Sequence, residues 1–120
     1  MRALPLLLVL AACAAPGRDA AAVDRELSAL SAGEPRDCVI AGPTARLLAR
    51  DQRTLVVEEG RTLWVSRLLR DCPGLDETAG LAVESEGGRY CRGDRVRALE
   101  PGRQAGPWCR LERFTPYRRR

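Results

Sequence analysis

The chain has 120 residues, 30% of them charged, with 20 basic groups against 16 acidic ones and a net charge of +4. Every basic group is arginine; lysine and histidine do not occur. Those absences exclude Schiff-base and P-loop lysine chemistry, Ser-His and Cys-His catalysis and histidine-ligated metals, and the length allows one small domain.

Residues 1–12, MRALPLLLVLAA, place Arg2 ahead of an apolar run from Leu4 to Ala12 that only Pro5 interrupts. A bilayer span needs about 20 apolar residues, so this run predicts a cleaved export signal instead. The junction Leu10-Ala11-Ala12-Cys13 resembles the lipobox of bacterial lipoproteins, where the signal is cut just before the cysteine and its sulfur takes a diacylglyceryl group. Small residues before the cut fit the peptidase, and the thiol must lie next to the scissile bond. Ordinary secretory cleavage a few residues later is the alternative, since Ala12-Cys13-Ala14 is also small-x-small. Cysteine parity favours lipid attachment at Cys13, because removing it from five leaves an even four. More than one acyl chain on a residue exceeds the marginal hold of a single chain, so the membrane becomes a partner through Cys13. Ala14 stands where lipoproteins retained on the inner membrane carry Asp, so the resemblance favours the outer membrane.

Residues 13–35 read as the lipidated cysteine followed by an alanine-rich tether. Asp19 is a candidate cap for a helix running to about Ala32, with Gly33 and Pro35 beyond it. Val23, Leu27 and Leu30 fall on one side of that helix. Three residues make a thin stripe, which predicts a helix that is free or loosely docked.

From Arg36 the texture changes to short apolar runs punctuated by Gly, Pro and Asp, as in a small β-domain over residues 36–117. Thr44 to Leu48 and a turn at Arg50 to Arg53 precede the clearest hairpin, in which 54–57 and 62–65 flank Glu58-Glu59-Gly60-Arg61. Leu81 to Glu84 and Arg89 to Cys91 read as a second hairpin across Ser85 to Gly88. Arg92-Gly93-Asp94 reads as a turn before Arg95 to Leu99, where arginine alternates with apolar residues, and Cys109 to Phe114 closes the domain with Leu111 and Phe114 inward. The expected fold class is mainly β: an antiparallel meander or partly closed barrel of six to seven short strands. Arg118 to Arg120 form a basic tail on an unfolded end.

So small a core leans on covalent staples. Cys38, Cys72, Cys91 and Cys109 are spaced by 34, 19 and 18 residues, too far apart for the close ligand pairs of structural zinc, so no metal or cofactor is expected. Four cysteines in an exported chain predict two disulfides. If Arg92-Gly93-Asp94 reverses the chain, Cys72 pairs with Cys91 and Cys38 with Cys109, the favoured arrangement. If it is only a bulge, the pairs are Cys38 with Cys91 and Cys72 with Cys109.

The order of motifs Asp37-Cys38-Val39-Ile40, Asp51-Gln52-Arg53-Thr54-Leu55, Cys72-Pro73-Gly74-Leu75, Tyr90-Cys91-Arg92-Gly93-Asp94 and Cys109-Arg110-Leu111-Glu112-Arg113-Phe114 resembles a bacterial family catalogued as domain of unknown function 6491. The resemblance spans about residues 36–117. It implies a small exported or lipid-anchored four-cysteine protein and supplies no catalytic residue.

The candidate binding surface is Trp64, which breaks the alternation of its strand, with Arg89, Arg92, Arg95 and Arg97. An envelope protein or an anionic envelope polymer is the expected partner; nucleic acid is not expected outside the cytoplasm. The functional expectation is a lipid-anchored, periplasm-facing binding or structural accessory module without enzymatic activity, with a carboxylate- or arginine-based envelope hydrolase as the alternative. Charge is uneven along the chain. The tether carries two arginines and four acids, the β-domain fourteen and twelve, and the tail three arginines. The excess basicity therefore sits mostly at the C-terminus.

Overall fold

The computed structural model describes residues 3, 20–43, 45–99 and 104–119. The lipobox, Cys13 and the Asp19 cap lie outside the described residues. Within them, one helix, α1 (Ala20–Ser28), precedes ten strands: β1 (Ser31–Ala32), β2 (Cys38–Ile40), β3 (Leu47–Ala49), β4 (Thr54–Glu59), β5 (Thr62–Arg67), β6 (Gly80–Glu84), β7 (Arg89–Cys91), β8 (Arg95–Leu99), β9 (Cys109–Arg110) and β10 (Phe114–Arg118). They form three antiparallel sheets, β1-β10-β5-β4-β3, β2-β7 and β6-β8-β9, and do not close into a barrel.

The β4–β5 hairpin is longer than the expected one. Its ladder runs through Glu58↔Leu63 and Glu59↔Thr62, leaving only Gly60 and Arg61 in the turn. Gly60 takes φ 57°, the positive value that a two-residue hairpin with glycine first requires. The continuous apolar run Leu55-Val56-Val57 arises because this sheet is covered on both faces. Leu55, Val57 and Trp64 face the main core, with Val96, Ala98, Leu111 and Phe114, whereas Val56, Val65 and Leu63 face α1.

Helix α1 is therefore docked, contrary to the free or loosely held helix expected. Val23 is 2% and Leu27 5% exposed, and Leu30 and Tyr117 pack beside them. The thin stripe suffices because the sheet offers it a matching apolar face of Val56 and Val65. The helix also stops earlier than Ala32: Ser31 and Ala32 pair with Arg118 and Tyr117 as an edge strand. Arg118 thus belongs to the sheet and not to a loose tail.

Two further expectations change. Leu81–Glu84 and Arg89–Cys91 are not a hairpin: β6 pairs with β8, while β7 pairs with β2. Gly87 and Gly88, at φ 63° and 69°, form the connection that carries the chain from β6 to β7 in a different sheet. The segment from Cys109 to Phe114 is broken into β9 and β10. Leu111 and Phe114 are three apart and would point to opposite faces of one strand; the break at 111–113 lets both be buried, at 1% and 0% exposure.

The disulfides are Cys38–Cys91 and Cys72–Cys109, so the favoured pairing of Cys72 with Cys91 and Cys38 with Cys109 is corrected. The turn at Arg92-Gly93-Asp94 does form: Asp94 N–H donates to Cys91 C=O at 3.1 Å, Asp94 Oδ2 accepts from Cys91 N–H at 2.7 Å, and Gly93 takes φ 89°. The strands on either side of it enter different sheets, so the turn does not set which end of one sheet Cys91 occupies. Instead, β7 lies against β2 with Cys38 directly opposite Cys91.

Candidate functional site

Strand β8 positions the arginines. Val96 and Ala98 are fully buried against the core, so alternation sends Arg95 and Arg97 to the outer face of the three-stranded sheet. Register then places Glu84 across from Arg95. Arg95 donates from Nε and Nη2 to the two Glu84 carboxylate oxygens at 2.9 and 2.8 Å, a two-pronged pairing that fixes the plane of the guanidinium.

Trp108, just ahead of β9, brings the two arginines together. The Arg95 and Arg97 guanidinium carbons stand 4.8 and 4.5 Å from the centre of its ring, within the range where the negative ring face attracts a cation. Trp108 was missed as a site residue by sequence reasoning. Its place beside Arg97 follows from the pairing of Cys109 with Val96 across β8 and β9, a register no local pattern encodes. The Nε of Arg97 is buried without a hydrogen-bond acceptor, so this arginine is held by stacking and packing.

Beside this face lies an open cleft of about 860 Å³ lined by Arg89, Arg95 and Arg110 together with Glu84, Glu86 and Asp94. Arginines and acids balance in it, and several are already engaged: Glu84 by Arg95, Asp94 by the Cys91 N–H, and Arg110 by the Gly93 carbonyl at 3.3 Å. Arg89 makes no ion pair among the described residues.

The five expected surface residues do not form one surface. Arg89 and Arg95 share the cleft, and Arg95 and Arg97 share Trp108. Arg92 points elsewhere, with its Nε 3.8 Å from Glu112. Trp64 sits on another sheet, half-buried on the main core under Arg36, whose guanidinium carbon is 5.3 Å from the ring centre. It lines a separate groove of about 480 Å³ with Gly33, Glu34, Pro116 and Arg118.

A family model described as "Family of unknown function (DUF6491)" matches residues 1–120. The chain belongs to this family. No curated protein and no solved structure matches it. The motifs that carry the family resemblance have structural explanations in this DUF6491 chain. Asp51 accepts from the Arg53 N–H at 2.7 Å and the Thr54 hydroxyl at 3.2 Å, organising the turn before β4. Cys72-Pro73-Gly74-Leu75 makes a turn closed by Leu75 N–H to Cys72 C=O at 3.2 Å, burying both Cys72 and Leu75. Gly74 there takes φ 88°, and a Cβ on it would meet the Ala98 Cβ at 3.0 Å. In the described part of this DUF6491 protein, the family motifs thus build turns and staples, while the arginine–tryptophan face lies mostly outside them.

Proposed function

We propose that this DUF6491 protein is a lipid-anchored component of the bacterial envelope, held through Cys13 and acting as a binding or structural accessory module. The supporting observation is that four of the five cysteines pair with one another, leaving only Cys13, directly after Leu10-Ala11-Ala12. Two disulfides in so small a domain suit an oxidising compartment outside the cytoplasm. Intact mass of the chain recovered from bacterial membranes tests the anchor. The expected mature species begins at Cys13 and carries acyl mass, and Cys13→Ser lacks it; an unacylated chain cut elsewhere would refute the reading.

The binding role is supported by the arginine–tryptophan face of the β6-β8-β9 sheet, with an anionic envelope polymer or an acidic envelope protein as partner. Arg97 and Arg89 have no ion-pair partner among the described residues, whereas the cleft carboxylates Glu84 and Asp94 are committed to local bonds. That distribution favours recognition over carboxylate chemistry. Crosslinking in intact cells from a photoreactive residue at position 82, directly opposite Arg97 on β6, compared with one at Arg61 in the β4–β5 turn, tests it. A partner captured at 82 and not at 61 is the expected result.

A further inference from the structure

We infer that the domain rests on the bilayer through the segment following β5, with Leu69 entering the headgroup boundary beside Arg70 and Trp108. This deepens the proposed anchoring and depends on it. Six residues separate Cys13 from Ala20, and a chain spans at most about 3.6 Å per residue, so the start of α1 lies within about 25 Å of an acylated Cys13. Because α1 is docked on the β-sheet, that leash holds the domain to the membrane by the end of the sheet at which α1 begins.

The end is identifiable. Asp24, at the middle of α1, forms an ion pair with Arg67 at the last position of β5. The segment after α1 pairs at the other end of the sheet, where Ser31 faces Arg118 and Arg118 faces Thr62. The helix thus runs antiparallel to β5 and begins at its Arg67 end. Two residues beyond Arg67 stands Leu69, 75% exposed. An apolar side chain there is held out by its backbone: Arg53 donates to the Leu68 carbonyl at 2.8 Å and to the Leu69 carbonyl at 2.9 Å, while Leu68 is buried.

Leu69 lines a groove of about 520 Å³ with Pro73, Pro107 and Trp108. Its charged lining is Arg70 and Arg110 against Asp71 and Glu112, and Glu112 lies 3.8 Å from Arg92. Arginines and acids balance in that lining, and Arg67 beside it is paired with Asp24. An exposed leucine beside a tryptophan and Arg70 suits the lipid headgroup boundary, where indole rings settle and an arginine lays its apolar stem along the surface while its head stays in water.

The test uses the acylated full-length protein in vesicles of phosphatidylethanolamine and phosphatidylglycerol carrying bromine near the headgroup end of the acyl chains. The chain has two tryptophans, so Trp64→Phe isolates Trp108 and Trp108→Phe isolates Trp64. Emission from Trp108 is expected to be quenched severalfold more than that from Trp64, and Leu69→Glu is expected to abolish the difference. Hydrogen exchange on the unsubstituted chain gives a second readout: residues 67–71 slow on vesicles, while the turn at 58–61 does not change. An acylated chain with equal quenching of both tryptophans, or with 67–71 exchanging as in solution, overturns this inference alone. A chain without acyl mass at Cys13 overturns it together with the anchoring on which it rests.

Discussion

Cys38 stands directly across from Cys91 on paired antiparallel strands, their Cα atoms 4.0 Å apart, and their disulfide joins positions 53 residues apart. The second bridge, Cys72–Cys109, spans 37 residues and reaches the fully buried Cys72 at the core. Loop closure on this scale is worth about 4 kcal/mol per bridge in the chain-entropy model, comparable to the whole stability of a small domain. Reduction is therefore expected to abolish the cooperative far-UV CD melt, and non-reducing peptide mapping is expected to recover 38 with 91 and 72 with 109. The double replacement Cys72→Ala, Cys109→Ala should cost more than Cys38→Ala, Cys91→Ala, since only the former opens a cavity at the core.

Docking of α1 carries a separate expectation. Leu27 is buried against Val56 and Val65, and truncating a buried leucine costs about 2 kcal/mol or more. Leu27→Ala should lower the urea midpoint accordingly, whereas Ala29→Ser, at an exposed position, should leave it in place. A solvated tether would show no difference between the two.

Gly74 combines a positive φ of 88° with a Cβ position 3.0 Å from the Ala98 Cβ. Gly74→Ala therefore meets both backbone strain and overpacking, and a loss of about 2 kcal/mol is expected. Gly60 also has a positive φ but open space around it. Gly60→Ala should cost only the backbone part, about 1 kcal/mol. Comparing the two by chemical denaturation separates strain from crowding.

Asp76 supplies a pH signature. Its Oδ1 accepts from the Thr78 hydroxyl at 2.8 Å, the Thr78 N–H at 2.7 Å and the Ala79 N–H at 2.8 Å. Led by the Thr78 hydroxyl, these donors hold the carboxyl below its ordinary 3.8. A depressed acid stabilises the fold above its unfolded value, and that contribution disappears as pH falls through the lower folded value. NMR titration should place the Asp76 midpoint below 3.8, and Thr78→Val should raise it. Because Asp76 is exposed, the change should be local to the 76–79 turn.

Arg97→Met tests how the outer face is held. The substitution removes a buried Nε without an acceptor, which favours the variant, and a stacking contact with Trp108, which disfavours it. Each effect is worth about 1 kcal/mol, so thermal stability should stay nearly constant. Crosslinking or binding through this face should fall sharply.

Local rules written in the sequence determined the β4–β5 hairpin, because Gly60 and the flanking β-branched runs leave few other conformations, and the face on which Arg95 and Arg97 lie, because a strand alternates. They also determined that four cysteines form the staples, whereas Leu111 and Phe114 are both inside only because the chain breaks between β9 and β10. Which cysteines pair, where α1 rests, and that β6 joins β8 while β7 joins β2 were decided only by the tertiary structure. Each depends on which strands meet at long range, and that is set by the joint burial of residues such as Val39, Val96 and Phe114, which lie far apart in the chain. Trp108 belongs with them: nothing adjacent to it marks it as the partner of two arginines, and only the register of Cys109 against Val96 puts it there.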